Sequence, residues 1–148
     1  MAFLEAAVHG SVEHVTLYDL TGPRGLALAQ TDRAGPAGLP VLWLLAQLRD
    51  AGNAAVSSLS GGAGSCAALA MQGASGHRTL VANLRDEITD VRLRVDASHA
   101  TVRMLDELTL AGADVLAGRE LAGARYPIAA GWLPLLLRPY AVACVDTS

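Results

Sequence analysis

The chain has 148 residues, of which 52% are hydrophobic and 17% charged, and its formal net charge is −3 at pH 7. That length fits one domain with an ordinary hydrophobic core, and so low a share of charged residues argues against a disordered chain. All 11 basic residues are arginines. They form no run or stripe that could follow a phosphate backbone, which argues against nucleic acid as a partner.

The cysteines and the lengths of the apolar segments indicate in which compartment the protein is located. Cys66 and Cys144 lie outside any CxxC or Cys/His motif and have apolar neighbours, which indicates buried, reduced thiols and no metal site. The longest apolar stretches, Leu39–Ala46 and Trp132–Leu137, fall far short of the ~20 residues that cross a bilayer. The N-terminus also lacks the basic segment of a signal peptide. We therefore expect a cytoplasmic protein that does not contact a membrane, and its high apolar content predicts association with other chains.

Hydrophobic periodicity predicts strands that alternate with helices. In chain order the predicted elements are a strand at His14–Leu20, a turn at Thr21–Gly25, a helix at Leu39–Asp50, a strand at Ala54–Leu59, a glycine-rich turn at Ser60–Gly64, a helix at Ser65–Gln72, a strand at Arg78–Ala82, an exposed or edge strand within Asp86–Val95, a helix at Ala97–Ala117 and a strand at Ala141–Val145. This order predicts an α/β fold with mostly parallel strand pairing. Trp43 and Trp132 are interpreted as core anchors.

Ser65 follows the glycine-rich turn and is the residue with the clearest chemical potential. A serine at a strand–turn–helix junction can expose its hydroxyl above the sheet, and the helix N-terminus offers partial positive charge to a developing oxyanion. The structural alternative is a glycine-rich loop in which Ser65 caps a packed helix. No lysine follows Gly61–Gly64, so the turn is not a phosphate-binding loop.

Several segments follow the order of motifs in a known family. Gly61–Ser65 matches a G-x-A-x-S segment, Gly76–Arg78 a G-x-R strand and Ala82–Arg85, loosely, a P-N-x-R segment. Further matches in the same order are Phe3–Glu5, Val15–Tyr18, Thr21–Gly25, Asp96–Gly118 and Ala141–Asp146. The chain thus resembles the proteolytic subunit of the Clp protease over nearly its whole length. The resemblance implies the α/β spiral fold of ββα repeats shared with crotonases, in a single domain of residues 1–148 that lacks the family's N-terminal segment.

The resemblance also implies a damaged catalytic site. Ser65 stands at the nucleophile position, and Gly25 and Cys66 stand where the family binds the oxyanion and the substrate strand. Thr89 occupies the position of the catalytic histidine and Ala130 that of the catalytic acid. A serine hydroxyl without a neighbouring base is a weak nucleophile. We therefore expect catalysis to be impaired.

The sequence leaves several alternatives open. Arg24 either obstructs the peptide-binding strand or points to solvent, and His77 or His99 could replace the missing base, although both are more typical of surface histidines. The first hypothesis is a structural or regulatory subunit of a Clp-type ring, forming homo- or hetero-oligomers with Clp-type subunits and meeting an AAA+ unfoldase through them. The others are an active Clp-type serine endopeptidase that uses Ser65 with a non-standard base, and a crotonase-like acyl-CoA enzyme. We expect no cofactor and no metal ion.

Overall fold

The computed structural model describes residues 6–8, 10, 19–21, 25–27, 40–50, 55–58, 64–73, 76–112 and 121–148. The elements bounded within these ranges are β1 (Asp19–Thr21), β2 (Gly25–Ala27), α1 (Pro40–Asp50), β3 (Ala55–Ser58), β4 (Cys66–Gly73), β5 (Gly76–Asn83), β6 (Thr89–Arg94), β7 (His99–Leu105), α2 (Glu107–Gly112), β8 (Ala124–Pro127), β9 (Trp132–Leu137) and β10 (Val142–Thr147). Neither of these helices has the length and apolar character needed to cross a bilayer.

Antiparallel pairing dominates the described part of the chain. A six-stranded sheet has the order β3-β4-β5-β10-β7-β8, and every neighbouring pair in it is antiparallel. A second sheet pairs β6 with β9, also antiparallel, while β1 and β2 form a short parallel pair. The predicted α/β spiral with mostly parallel strands is therefore wrong. A physical reason is visible between β4 and β5, since a link of two residues allows antiparallel pairing but is too short for a parallel crossover.

The predicted helix at Ser65–Gln72 is the strand β4. Along it the buried residues alternate with half-buried ones, and Ala67, Leu69 and Met71 share the buried face. The other face carries Cys66, Ala68 and Ala70, which are half-buried, so both faces of β4 carry apolar or small residues. An interior strand of this kind reads as a continuous apolar run, which periodicity alone does not distinguish from a buried helix.

Only part of the predicted helix at Ala97–Ala117 is helical. Its first residues form β7, and α2 begins at Glu107. Asp106 separates the two elements, because its carboxylate Oδ1 accepts hydrogen bonds from the backbone N–H groups of Leu108 (3.1 Å) and Thr109 (2.9 Å). This is the geometry of a helix N-cap.

Five further predicted elements are confirmed with shifted ends, whereas the turns predicted at Thr21–Gly25 and Ser60–Gly64 lie mostly outside the described residues. The helix at Leu39–Asp50 is α1, and the strands at Ala54–Leu59, Arg78–Ala82, Asp86–Val95 and Ala141–Val145 correspond to β3, β5, β6 and β10. Of the strand predicted at His14–Leu20, residues 14–18 lie outside the described residues, and β1 begins at Asp19.

Two apolar clusters cover the two faces of the six-stranded sheet. On one face, β6 and β9 pack against β5, β7 and β10 through Val81, Leu93, Ala100, Val102, Leu133, Leu135, Leu137, Ala141, Ala143 and Val145. On the other face, α1 packs against the sheet through Trp43, Leu44, Met71, Leu80, Leu105, Leu121 and Cys144. The six-stranded sheet is thus the middle of three layers, and burial in both clusters is the main stabilising contribution.

Candidate functional site

Ser65 precedes a strand and not a helix. It lies directly before β4 and after Gly64, whose φ of +77° turns the chain. The carbonyl oxygen of Ser65 accepts a hydrogen bond from the N–H of Leu84 at 2.8 Å, and the next residue, Cys66, pairs with Asn83. The predicted support of an oxyanion by a helix N-terminus at Ser65 is therefore wrong, because β4 has no helix dipole. Whether Ser65 acts as a nucleophile stays a prediction.

The two other positions of the predicted catalytic group lie at opposite ends of the β6–β9 sheet. Thr89 begins β6 and pairs with Leu137 at the end of β9. Ala130 lies in the turn before β9, with φ of +51°, close to where Trp132 pairs with Arg94. Six residues at a rise of roughly 3.4 Å separate the two ends by about 17 Å. A catalytic triad requires hydrogen-bond contact, so these positions do not share one site.

The histidines that could have replaced the base are also distant or exposed. His77 pairs with Gln72 at the far end of β4 from Ser65, about 24 Å away at the rise of a strand. His99 is exposed, and its Nδ1 lies 3.1 Å from Oγ of Ser98. Gly25 begins β2, and the neighbouring Arg24 lies outside the described residues. That Gly25 and Cys66 bind a peptide stays a prediction.

Asn83 organises the region next to Ser65 and Cys66. It is 2% exposed, and its amide Oδ1 accepts hydrogen bonds from the N–H of Arg85 (2.9 Å) and the hydroxyl of Thr89 (3.1 Å). Its Nδ2 donates to three backbone carbonyls, those of Glu87 (2.7 Å), Arg138 (2.9 Å) and Leu137 (3.2 Å). The side chain thereby joins the end of β5 to the start of β6 and the end of β9. The Thr89 hydroxyl, placed at the histidine position by the resemblance, serves this structural connection.

An ion cluster lies between α1 and the six-stranded sheet. Asp146 on β10 accepts from Nε of Arg78 at 2.6 Å and from Nη2 of Arg103 at 2.5 Å. Each arginine also donates to Gln47 on α1, Arg78 to its carbonyl at 3.2 Å and Arg103 to its Oε1 at 3.1 Å. Charge-assisted hydrogen bonds of this kind are stronger than neutral ones. The cluster therefore holds α1 against the sheet.

Cys144 is fully buried beside this cluster. Its thiol donates to Oε1 of Gln47 at 3.6 Å, and Arg103 donates to its sulfur at the same distance. Burial, and then the negative charge of Asp146, raise the pKa of the Cys144 thiol from 9.0 to about 11. A thiol that stays protonated at neutral pH is a poor nucleophile and a poor metal ligand. The described residues also contain no group of three or more His, Cys, Asp or Glu side chains that could hold a metal ion.

The outward side of the β6–β9 sheet combines exposed apolar side chains with charged ones. This surface, the outer face, consists of Asp90, Arg92 and Arg94 on β6 and of Trp132, Pro134 and Leu136 on β9. Trp132 is 44% exposed and Leu136 is 67% exposed. Contiguous exposed apolar side chains are a common feature of interaction sites.

Sequence reasoning missed this surface. The interpretation of Trp132 as a core anchor is wrong, whereas Trp43, 5% exposed, is confirmed as one. The signal that could have found the surface is the period of two in β6, where Val91 and Leu93 point inward and the charged residues between them point outward.

A family model supplies the relationship that the geometry suggests. The model of the C-terminal immunoglobulin-like domain of D-apionate lactonase matches residues 63–145, more than half of the chain. The chain belongs to this family. The matched part runs from just before β4 into β10, and its antiparallel sheets agree with an immunoglobulin-like sandwich.

Membership of this immunoglobulin-like family overturns the resemblance to Clp proteolytic subunits. The chain is not a Clp-type peptidase homologue, and the hypotheses of a Clp-type ring subunit, an active Clp-type endopeptidase and a crotonase-like acyl-CoA enzyme are wrong with it. The collinear motifs misled because they are short, and two of them are glycine-containing turns of a kind that recurs in unrelated folds.

The solved structures include a GH30 endoxylanase from Clostridium papyrosolvens C71 that is similar to this chain. The TM-score is 0.46 and the sequence identity 11%, and the alignment covers 63% of this chain. It covers 23% of the xylanase chain, so this protein corresponds to less than a quarter of that structure. No curated protein matches the chain.

Proposed function

We propose that this chain is an accessory immunoglobulin-like domain of a lactonase that acts on sugar-acid lactones. In this role it stabilises or positions the catalytic part of the enzyme and does not hydrolyse the substrate itself. The observation that carries the proposal is the family match over residues 63–145, because this family is the C-terminal immunoglobulin-like domain of D-apionate lactonase.

The use of the polar side chains in the fold supports an accessory role. Both the NH₂ group and the oxygen of the Asn83 amide form hydrogen bonds with backbone groups, and Asp146 is bound by two arginines. Cys144 is buried and protonated. Each of these groups has a structural role among the described residues.

A hydrolysis assay tests the proposal. The purified chain is incubated with the lactone of D-apionate, alone and with the separately purified catalytic domain of a D-apionate lactonase. We expect no hydrolysis by the chain alone, and a higher Tm or a higher kcat/KM of the catalytic domain when the chain is added.

The controls use serine variants. Hydrolysis by the chain alone that disappears in Ser65→Ala, but persists in Ser98→Ala at an exposed turn, would contradict the accessory role. A catalytic domain whose Tm and kcat/KM are both unchanged by the added chain would contradict the supporting role.

Two further expectations remain proposals. Association with other protein chains is one, now without the Clp-type subunits and unfoldase that the resemblance implied. A cytoplasmic location is the other, and it rests on the free cysteines Cys66 and Cys144.

A further inference from the structure

We infer that the outer face binds a second copy of this chain. The inference goes beyond the proposed function and does not depend on it. It rests on two parallel rows of side chains on that face, one apolar and one charged, whose order along the strands makes the surface complementary to itself.

The apolar row lies on β9. Trp132 and Leu136 point to solvent, with Pro134 between them, while the alternate residues are buried beneath the sheet. The strand is therefore held by its buried side, and the exposed row is pre-organised for contact. Binding by a rigid surface avoids much of the entropy cost of ordering side chains.

The charged row lies beside it on β6. Asp90 pairs across the sheet with Leu136, Arg92 with Pro134, and Arg94 with Trp132. All three charged side chains are exposed, and none of them forms an ion pair with another described residue. The row thus carries a free negative charge at one end and free positive charges at the middle and the other end.

A two-fold axis in the plane between two such faces, perpendicular to the strands, makes the rows complementary. It places β6 over β6 and β9 over β9 with reversed directions. Asp90 of each copy then lies opposite Arg94 of the other, and Trp132 of each copy lies opposite Leu136 of the other. Sheets that pack face to face keep their strands within about 30° of each other, so these pairings survive the usual twist.

The charge order favours a second copy over an unrelated partner. An acidic surface would pair with Arg92 and Arg94 but repel Asp90, and a basic surface would do the reverse. A reversed copy of the same row satisfies both ends at once. Its one unfavourable contact is Arg92 opposite Arg92 on the axis.

The size of the face predicts a weak dimer. Two strands of six residues span about 20 Å by 10 Å. This is smaller than the roughly 800 Å² per partner that a standard stable interface buries. We therefore expect a dissociation constant in the micromolar range or above, and a monomer–dimer equilibrium that shifts with concentration.

Sedimentation velocity of the full chain, from about 10 µM to about 500 µM, measures this equilibrium. We expect the dimer fraction to rise over this range. Leu136→Asp should weaken association at least about tenfold, since it buries a carboxylate against Trp132. The matched control is Val56→Asp. Val56 is 43% exposed on β3, an edge strand of the six-stranded sheet that is not part of the outer face, so this variant should leave the dissociation constant unchanged.

A charge swap identifies the geometry. Asp90→Arg and Arg94→Asp should each weaken the dimer several-fold, because each places like charges opposite one another. The double variant restores opposite charges at both ends and should restore the dissociation constant to within about twofold of the starting protein.

Three results would overturn the inference. The first is a monomer at every concentration. The second is a dimer that Leu136→Asp leaves intact, or that Val56→Asp weakens equally. The third is a double charge-swap variant that stays as weak as the single variants. None of these results would bear on the family match, so they are distinguishable from a failure of the proposed function.

Discussion

Asn83 shows how one side chain can decide the arrangement of neighbouring strands. It makes five hydrogen bonds in a position that is almost fully buried. Its Nδ2 donates to three backbone carbonyls, and its Oδ1 accepts from a backbone N–H and a hydroxyl. Only an amide offers both an NH₂ group for the carbonyls and an oxygen for the N–H and hydroxyl donors.

Replacement of Asn83 should therefore cost much of the stability. We expect Asn83→Ala to lower the free energy of unfolding by about 2–4 kcal/mol, because it leaves buried backbone groups without partners. Asn83→Asp should cost at least as much, since a carboxylate oxygen would then face three carbonyls. Urea denaturation measures both changes. The matched control, Gln72→Ala at an exposed amide, should cost less than about 0.5 kcal/mol, and equal costs at the two sites would contradict the role of Asn83.

At the scale of elements, burial along β9 alternates although its sequence does not. The segment Trp132–Leu137 is apolar at every position, and yet Leu133, Leu135 and Leu137 are buried while the residues between them are exposed. The period of two comes from the strand and from the core beneath it. In β4 the same masking by apolar and small residues produced a helix prediction for a strand.

The buried and the exposed leucines of β9 should therefore respond differently to truncation. We expect Leu133→Ala, at a fully buried site, to lower the free energy of unfolding by about 2–5 kcal/mol. Leu136→Ala should change it by less than about 1 kcal/mol, because its side chain is mostly in solvent. Chemical denaturation at a concentration where the chain is monomeric checks both, and similar losses would mean that the register of β9 against β6 is wrong.

At the scale of the whole molecule, the raised pKa of Cys144 links folding to alkaline pH. The folded chain holds the thiol proton up to about pH 11, whereas the unfolded chain releases it near the ordinary value of 9.0. Between these values the unfolded state binds fewer protons, so stability falls as pH rises. Below pH 9 the thiol is protonated in both states and contributes no pH dependence.

We expect the free energy of unfolding to fall by roughly 2–3 kcal/mol between about pH 9 and about pH 11 through this group. To isolate the contribution of the thiol, the measured quantity is the difference in slope between the starting protein and Cys144→Ala. Cys66→Ala serves as the matched control. Equal slopes in the starting protein and in Cys144→Ala would contradict the burial effect.

The sequence by itself determined the elements whose local signals are strong. The amphipathic pattern of Leu39–Asp50 gave α1, and the short apolar segments at Ala54–Leu59, Arg78–Ala82 and Ala141–Val145 gave strands, because these patterns follow from the geometry of a single element. The alternation of charged and apolar residues in β6 was also visible in the sequence, although the exposure of β9 beside it was not.

Only the tertiary structure decided the rest. Whether an apolar run such as Cys66–Gly73 becomes a helix or a strand depends on the neighbours that complete its hydrogen bonds, and these come from distant parts of the chain. The antiparallel order of the sheets, the separation of Thr89 from Ala130 and the exposure of Trp132 follow from that pairing. Local sequence does not encode long-range pairing directly, because the free energy that selects it is shared among many buried contacts and is not carried by one motif.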